Sequence, residues 1–356
     1  MTRGNYIYRL LAFIAVTAGF FGSAMLAGCD VHEFPAEGEE LPVYSINLEF
    51  DTGIREQDYT YTKISDHTGQ YDMRYTLRVF PVSWQNSSAT VSREHVWEHV
   101  FTSPVEKGMY NVETQVEMDL PDGEYVIHVW ADFVLAGTAS HHFYNPDNFS
   151  EIIIHSSHKA NTDMRDAYRG TASFRASRDT VENARILNVE MDRPLAKFEF
   201  RATDLAEFVE KVYNTKLGDD LNVSQADSLV SNVLQEYTVK FSYTGFMPCA
   251  FDMFTNKPND ARTGVTFETK LSKLDNGEVS MGFDYVFING IQSTVSMIMA
   301  MYDTAGKSLF ETNPIEVPVQ RGMHSIMRGS FLTIDTQGGV GIVPDFDGSY
   351  NYEIKY

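Results

Sequence analysis

Apolar and polar residues alternate with a period of two along much of the chain beyond residue 42. At the start of this region, Tyr44, Ile46 and Leu48 are separated by the polar Ser45 and Asn47. Successive side chains of an extended strand point to opposite faces, so this alternation predicts strands with one buried and one solvated face. The same reasoning predicts further strands at 73–79, 124–132, 152–155, 186–191, 196–201, 237–243, 265–269, 279–288, 294–302, 315–318, 325–333 and 350–355.

Two segments in the second half of the chain follow a helical period instead. Apolar residues recur at spacings of three and four residues near 203–215 and again near 224–235, which predicts two short amphipathic helices. The expected N-terminal caps are Thr203 or Asp204 for the first helix and Ser224 with Asp227 for the second.

Length and the breaks in the pattern predict two domains. A chain of 356 residues has room for two domains of ordinary size, and Pro194 interrupts the strand pattern. The sequence contains no repeat of about 20–50 residues, which disfavours a propeller or a solenoid. The predicted fold class is therefore all-β, with two tandem antiparallel β-sandwich domains at 43–192 and 193–356 and the short helices in the second.

The first residues are organised like an export signal. Two arginines precede an apolar stretch, which is too short and too rich in glycine to span a bilayer. The segment ends in Leu26-Ala27-Gly28-Cys29, which resembles the bacterial lipobox, where the cysteine is acylated and the chain is cut before it. Residues 1–28 are therefore predicted to be a lipoprotein signal peptide, and Cys29 is the predicted lipidation site.

An acidic stretch follows Cys29, and the chain as a whole is acidic. Residues 29–42 contain five acidic side chains and no lysine or arginine, which predicts a flexible tether. The formal net charge of the chain is −21, and no basic stripe is visible, so nucleic acid and anionic lipid headgroups are disfavoured as partners. The acyl chains are the expected link to an outer membrane, with the protein facing the cell surface.

The cysteine content leaves no internal disulfide. The chain has two cysteines, Cys29 and Cys249, and lipidation of the first leaves the second without a partner. Cys249 lies in an apolar segment and is expected to be a small buried side chain rather than a nucleophile.

One catalytic motif is present, in a setting that disfavours it. His95, Glu98 and His99 match the H-x-x-E-H order of a class of zinc peptidases, which need a helix to bring both histidines to one face. Residues 90–101 lack a helical apolar stripe, and on a strand Glu98 would point away from both histidines. No catalytic residue, metal or cofactor is predicted. A hydrolase built from convergent carboxylates is the least supported hypothesis.

Two sets of residues are candidates for binding. The segment 141–149 is rich in aromatic, amide and imidazole groups, which can stack on sugar rings or hydrogen-bond a partner. Its predicted binding residues are His141, His142, Phe143, Tyr144, Asn145 and Asp147. The aromatic residues that could form a glycan platform are Trp84, Trp97, Tyr144 and Tyr350.

Three segments point to one family. They are the lipobox at 26–29, the Pro-Asp-Gly turn and the strand after it at 120–132, and the segment 191–200 around Pro194. Together they resemble the fimbrillin-like surface lipoproteins of Bacteroidales, which include the anchor subunits of type V pili. The resemblance implies two tandem β-sandwich domains and, in members that polymerise, assembly by addition of a partner's strand to an open sheet.

The resemblance also implies a processing site in polymerising subunits, where a protease removes the first strand after a basic residue. Arg55 is the basic residue that follows the first predicted strand here. We expect this strand to be retained. The leading hypothesis is therefore a non-enzymatic, lipid-anchored surface protein that serves as the anchor or an accessory subunit of a fimbria-like assembly or adhesin. The alternative is a glycan-binding outer-membrane lipoprotein of a polysaccharide-utilisation system.

Overall fold

The computed structural model describes residues 41–50, 69–105, 111–177, 185–217, 222–334, 341–343 and 351–355. The lipobox with Cys29, the processing candidate Arg55 and Tyr350 lie outside these ranges. Pro42–Tyr356 form one unit, and the division at residue 192 stays a prediction. No helix in the described ranges is long and apolar enough to cross a membrane.

Strands dominate the described chain, which confirms the all-β fold class. In chain order they are β1 (Val43–Phe50), β2 (Tyr71–Gln85), β3 (Ser88–Val91), β4 (Trp97–Pro104), β5 (Asn111–Glu117), β6 (Gly123–Leu135), β7 (Tyr144–Asn145), β8 (Ile152–Ile154), β9 (Ala167–Ala176), β10 (Ile186–Asp192), β11 (Leu195–Ala202), β12 (Thr238–Tyr243), β13 (Met247–Asp252), β14 (Lys257–Arg262), β15 (Thr266–Lys270), β16 (Ser272–Lys273), β17 (Val279–Phe287), β18 (Gln292–Tyr302), β19 (Ser308–Glu311), β20 (Ile315–Gln320), β21 (His324–Gly329), β22 (Gly341–Val343) and β23 (Asn351–Lys355). The helices within the described ranges are α1 (Leu205–Tyr213) and α2 (Val223–Glu236), and a 3₁₀ turn spans Asp163–Arg165.

The first sheet curves around an apolar core of its own. Its strands lie in the order β3-β2-β6-β9-β10-β1-β5, and β4 also pairs with β2. All neighbours in this sheet are antiparallel except β1 and β10, which run parallel. Its core includes the fully buried Ile46, Leu77, Ile127 and Val189. Leu77 and Ile127 lie on the neighbouring strands β2 and β6. Ile46 and Val189 lie on β1 and β10, toward the other end of the sheet order, so the sheet must bend to bring the two pairs together.

The remaining strands form three sheets around a second core. Two have the orders β16-β17-β11-β21-β23-β22 and β15-β12-β18-β19, with β20 paired to β18. The third, β14-β13-β8-β7, combines strands from both halves of the sequence. The second core does the same, since Trp130 and Tyr144 pack with Phe251 and Phe287.

The helix α1 begins directly after Asp204, one of its two predicted caps. The carboxylate of Asp204 makes no capping bond to the helix. It accepts hydrogen bonds from the backbone amides of Leu332 and Thr333, at 3.2 and 2.8 Å. Asp204 therefore links the start of α1 to the backbone at Leu332 and Thr333.

The predicted cap of α2 is wrong by two residues. The side chain of Asn222 accepts from the Gln225 amide at 3.0 Å, and the side chain of Gln225 accepts from the Asn222 amide at 3.1 Å. This reciprocal pair satisfies two amides that a helix start otherwise leaves without partners. The predicted pair, Ser224 and Asp227, lies inside the helix.

The polar residues of several strands are buried, contrary to the prediction of a solvated face. In β2, Arg74, Thr76 and Arg78 are buried although they alternate with core residues. Every residue of β11 is buried. The physical reason is that other parts of the fold cover both faces of these strands, and the buried charges find partners there.

Candidate functional site: the first strand and the open edges of its sheet

The strand β1, which follows the predicted tether, is inserted between two neighbours. It runs parallel to β10 and antiparallel to β5, so both of its backbone edges are used for pairing. The side chains of Tyr44, Ile46 and Leu48 are at most 3% exposed. Asn47 donates to the side-chain oxygen of Asn188 at 2.8 Å across the parallel pair. Removal of β1 would expose an apolar groove between β10 and β5.

The strands β4 and β5 are open edges of this sheet within the described residues. There, β4 pairs with β2 alone and β5 with β1 alone. The two edges meet through a side chain, because the indole N–H of Trp97 donates to the backbone oxygen of Glu117 at 3.1 Å. An open strand edge offers backbone N–H and C=O groups to another extended chain. Within the described residues, these edges are therefore the part of the sheet where a further strand could pair while β1 stays in position.

A row of half-buried aromatic side chains lines the inner face of β4. The rings of Trp97 and His99 are 5.9 Å apart, and those of His99 and Phe101 are 5.5 Å apart. Phe101 in turn stacks on the buried Tyr75, with ring centres 4.7 Å apart. Apolar side chains of an added strand could pack against this row.

The H-x-x-E-H segment is not arranged as a zinc site. His99 and Glu98 lie on opposite faces of β4, and the Glu98 carboxylate pairs with Arg78. His95 precedes the strand and is exposed. Across the described ranges, no three His, Cys, Asp or Glu side chains come together as a metal site would require.

The predicted binding loop contributes its aromatic residues to the core, which corrects part of that prediction. Phe143 is 3% exposed and Tyr144 is fully buried. The Tyr144 ring packs edge-on against Trp130, and its hydroxyl donates to the backbone oxygen of Arg165 at 2.6 Å. Neither ring can stack on a sugar from solution, because both are buried in the core.

The polar residues of the same loop are more accessible. His141, His142 and Asn145 are half-buried, and Asp147 is exposed. The imidazole of His141 lies 3.1 Å from the Asp147 carboxylate. Burial and the nearby Lys159 lower the pKa of His142. A binding role for these four residues stays a prediction.

The glycan-platform candidates differ sharply in exposure. Trp84 is 59% exposed, whereas Tyr144 is fully buried. Trp97 is half-buried and tied to Glu117. Trp84 is therefore the one of these three whose ring face is open to solvent.

The single described cysteine is in an inert setting. Cys249 is 4% exposed, and its sulfur lies 3.7 Å from the Asp260 carboxylate. Burial raises the pKa of this thiol, which keeps it protonated and unreactive.

Buried ion pairs connect the two halves of the sequence, and the sequence analysis missed them. The Asp284 carboxylate lies 2.9 Å from the Arg165 guanidinium and 2.7 Å from the His158 ring, and it accepts from the Tyr243 hydroxyl at 2.7 Å. Burial by itself would raise the pKa of Asp284, but Arg165 and His158 outweigh it and lower that pKa. The carboxylate therefore stays charged inside the protein.

Further buried pairs extend this network. They are Arg74–Asp132 at 2.7 Å, Arg193–Asp166 at 2.8 Å and Lys197–Asp163 at 2.6 Å. Asp163 also accepts from the Tyr285 hydroxyl at 3.1 Å. Burial raises the pKa of Asp132 to about 6 in spite of Arg74. The one signal in the sequence is the charged run at 163–166, which supplies Asp163, Arg165 and Asp166 from a single turn.

The chain belongs to a protein family of unknown function. The model of that family, DUF6562, matches residues 40–355. No curated protein matches the chain.

Solved structures of bacterial surface proteins resemble the chain at low identity. A fimbrial assembly protein from Parabacteroides distasonis is 12% identical, with a TM-score of 0.41 and coverage of 89% of this chain and 99% of that chain. An adhesin candidate from Bacteroides thetaiotaomicron is 12% identical, with a TM-score of 0.40 and coverage of 79% and 81%. The fimbrial anchor protein Mfa2 from Porphyromonas gingivalis is 10% identical, with a TM-score of 0.36 and coverage of 76% and 82%.

Proposed function

We propose that this protein is a non-enzymatic, lipid-anchored protein of the outer-membrane surface that serves as the anchor or an accessory subunit of a fimbria-like assembly or adhesin. The position of β1 carries the proposal. This strand is paired on both edges and buries Tyr44, Ile46 and Leu48. A subunit that stays on its lipid must keep the chain between Cys29 and the sheet intact. Retention of β1 preserves that link, whereas cleavage after Arg55 would cut it.

With β1 retained, a partner strand would use an open edge of the sheet. The edges β4 and β5 offer backbone hydrogen-bonding groups, and the row of Trp97, His99 and Phe101 offers an apolar inner face. Backbone pairing gives affinity, and the alternate side chains set the register. The open edges, rather than the groove of β1, are therefore the proposed docking place for a fimbrial subunit.

Lipidation is tested with the two cysteines of the chain. We expect Cys29→Ala to abolish incorporation of labelled palmitate, because the acyl chains are attached to that thiol. Cys249→Ala is the matched control and should behave like the parent protein. Equal labelling of the parent and Cys29→Ala would refute the anchor.

Retention of β1 is tested by the intact mass of the protein extracted from outer membranes. The proposal expects a chain that starts at an acylated Cys29 and keeps Arg55. A chain that starts at residue 56 would show that the strand is removed, and the protein would then be a polymerising subunit rather than an anchor. An Arg55→Ala variant should have the same mass as the parent apart from the substitution itself.

Edge docking is tested with two exposed valines. Val100 lies on β4 and Val43 lies on β1, and they are 41% and 46% exposed. A lysine on an edge strand opposes strand addition, whereas β1 is paired on both sides and offers no open edge. We expect an unboiled denaturing gel of outer-membrane extracts to show a heat-sensitive ladder that Val100→Lys weakens and Val43→Lys leaves unchanged. A lone monomer band in unboiled parent samples would argue against assembly.

A further inference from the structure

Trp84 is held in a fixed orientation on an exposed hairpin. It lies near the end of β2, beside a turn in which Asn86 and Ser87 have φ angles of 48° and 66°. Positive φ angles at both central residues are typical of the two-residue turns that join the strands of a β-hairpin. The side chain is 59% exposed. Its indole N–H donates to the Glu124 carboxylate at 2.6 Å. An exposed tryptophan normally samples several rotamers, whereas this hydrogen bond holds one edge of the ring and leaves a face open.

Strand register places polar groups beside this ring. Glu124 is directly opposite Arg175 in the β6–β9 pair, and opposed residues of an antiparallel pair share a face. Ser173 lies on the same face two residues from Arg175, and both are exposed. On the hairpin itself, Trp84 is opposite Ala89, whose short side chain leaves the ring uncovered. The result is a flat surface with an aromatic ring, a carboxylate, a hydroxyl and a guanidinium.

The charge of Arg175 selects among ligands. Within the described residues Arg175 makes no ion pair, and Glu124, directly opposite it on β6, accepts from the Trp84 indole. The chain has a formal net charge of −21, so it repels anions in general. An exposed guanidinium beside an open ring therefore favours a ligand that joins a flat apolar surface to a carboxylate.

We propose that Trp84, Glu124 and Arg175 form a binding platform for a polysaccharide that contains uronic acid units. The C–H face of a pyranose ring stacks on the indole, the sugar carboxylate pairs with Arg175, and the free lone pairs of Glu124 accept from a sugar hydroxyl. A neutral sugar would leave Arg175 unused. This platform is separate from the open edges β4 and β5, so it goes beyond the proposed assembly role.

The test uses the full chain in detergent and two immobilised polymers. Polygalacturonate carries a carboxylate on each ring, and highly methyl-esterified pectin presents the same rings with that charge removed. We expect the parent protein to bind polygalacturonate more tightly than the ester. Trp84→Ala should weaken binding to polygalacturonate by about tenfold or more in Kd. Arg175→Gln should bring both polymers to a similar, weaker affinity.

Phe246→Ala is the matched control, because Phe246 is a 78% exposed aromatic side chain on another loop. It should bind like the parent protein. Unfolding curves of all variants should coincide, since the altered side chains are at the surface. Failure of the parent to bind polygalacturonate, or equal binding by Trp84→Ala and the parent, would overturn the proposal. The assembly ladder should be the same in Trp84→Ala and the parent, so the two proposals can fail independently.

Discussion

The strands β1 and β11 alternate apolar and polar residues in the same way, but the polar face of β1 lies at the surface and that of β11 is buried. In β1 the side chain of Asn47 meets Asn188 at the protein surface. In β11 the side chains of Lys197, Glu199 and Arg201 are all buried, and the Lys197 ammonium lies 2.6 Å from the Asp163 carboxylate. A surface amide can exchange its partner for water, but a buried charge cannot. The polar face of β11 therefore depends on particular partners, and that of β1 does not.

The largest expected effect comes from removing one of those partners. We expect Asp163→Ala to lower the free energy of unfolding by about 3–5 kcal/mol, because it removes the carboxylate that lies 2.6 Å from the buried Lys197 ammonium. Urea unfolding at constant pH measures this loss. The control is Glu49→Ala at an exposed position of β1, where the change should stay within about 0.5 kcal/mol. Equal losses of unfolding free energy in Asp163→Ala and Glu49→Ala would show that the polar face of β11 depends on its partners no more than that of β1.

A double substitution shows whether the charges themselves stabilise the fold. Replacing both partners, as in Asp163→Leu with Lys197→Met, removes the desolvation penalty along with the attraction. Buried pairs replaced in this way are often neutral or stabilising. We therefore expect the double variant to recover most of the loss seen in Asp163→Ala. A double variant as unstable as Asp163→Ala would contradict this account.

A smaller, pH-dependent effect is expected from His128, which lies on the covered face of the first sheet. Burial and the nearby Arg169 lower its pKa to about 4. Between pH 6.5 and about 4 the unfolded chain binds a proton at this residue and the folded chain does not. Stability is therefore lost as the pH falls through this window, by up to about 3 kcal/mol from this residue alone.

The variant His128→Phe tests this pH dependence. The His128 ring already packs against Phe80 and Phe254, so a phenyl ring suits the site. We expect the variant to lose less stability than the parent between pH 6.5 and 4, as measured by unfolding curves at several pH values. The comparison with the parent matters because Asp132, with a pKa near 6, changes stability in the opposite direction. Identical pH profiles would show that His128 is not the titrating group.

The sequence predicts local structure well and long-range partners poorly, for physical reasons. Alternation and helical spacing depend only on neighbours in the chain, so the strand β1 and both helices could be predicted. The buried run at 163–166 could not, because its charges are satisfied by residues such as Asp284, more than a hundred positions away. The burial of Tyr144 cannot be predicted for the same reason, since it depends on the distant Phe287 as well as on Trp130.

The smallest expected effect lies on the polar face of β1. Asn47→Ala removes one exposed hydrogen bond, to Asn188, and should lower the free energy of unfolding by about 0.5 kcal/mol, the low end for a net hydrogen bond. Urea unfolding of Asn47→Ala and Asp163→Ala in one series measures the two losses in the free energy of unfolding. The proposed anchor needs β1 to be held by its apolar face and its backbone pairs, and a small effect agrees with this. A loss of several kcal/mol would mean that the polar face of β1, like that of β11, depends on particular partners. The pairing of β1 with β10 would then rely on side-chain hydrogen bonds as well as on backbone ones.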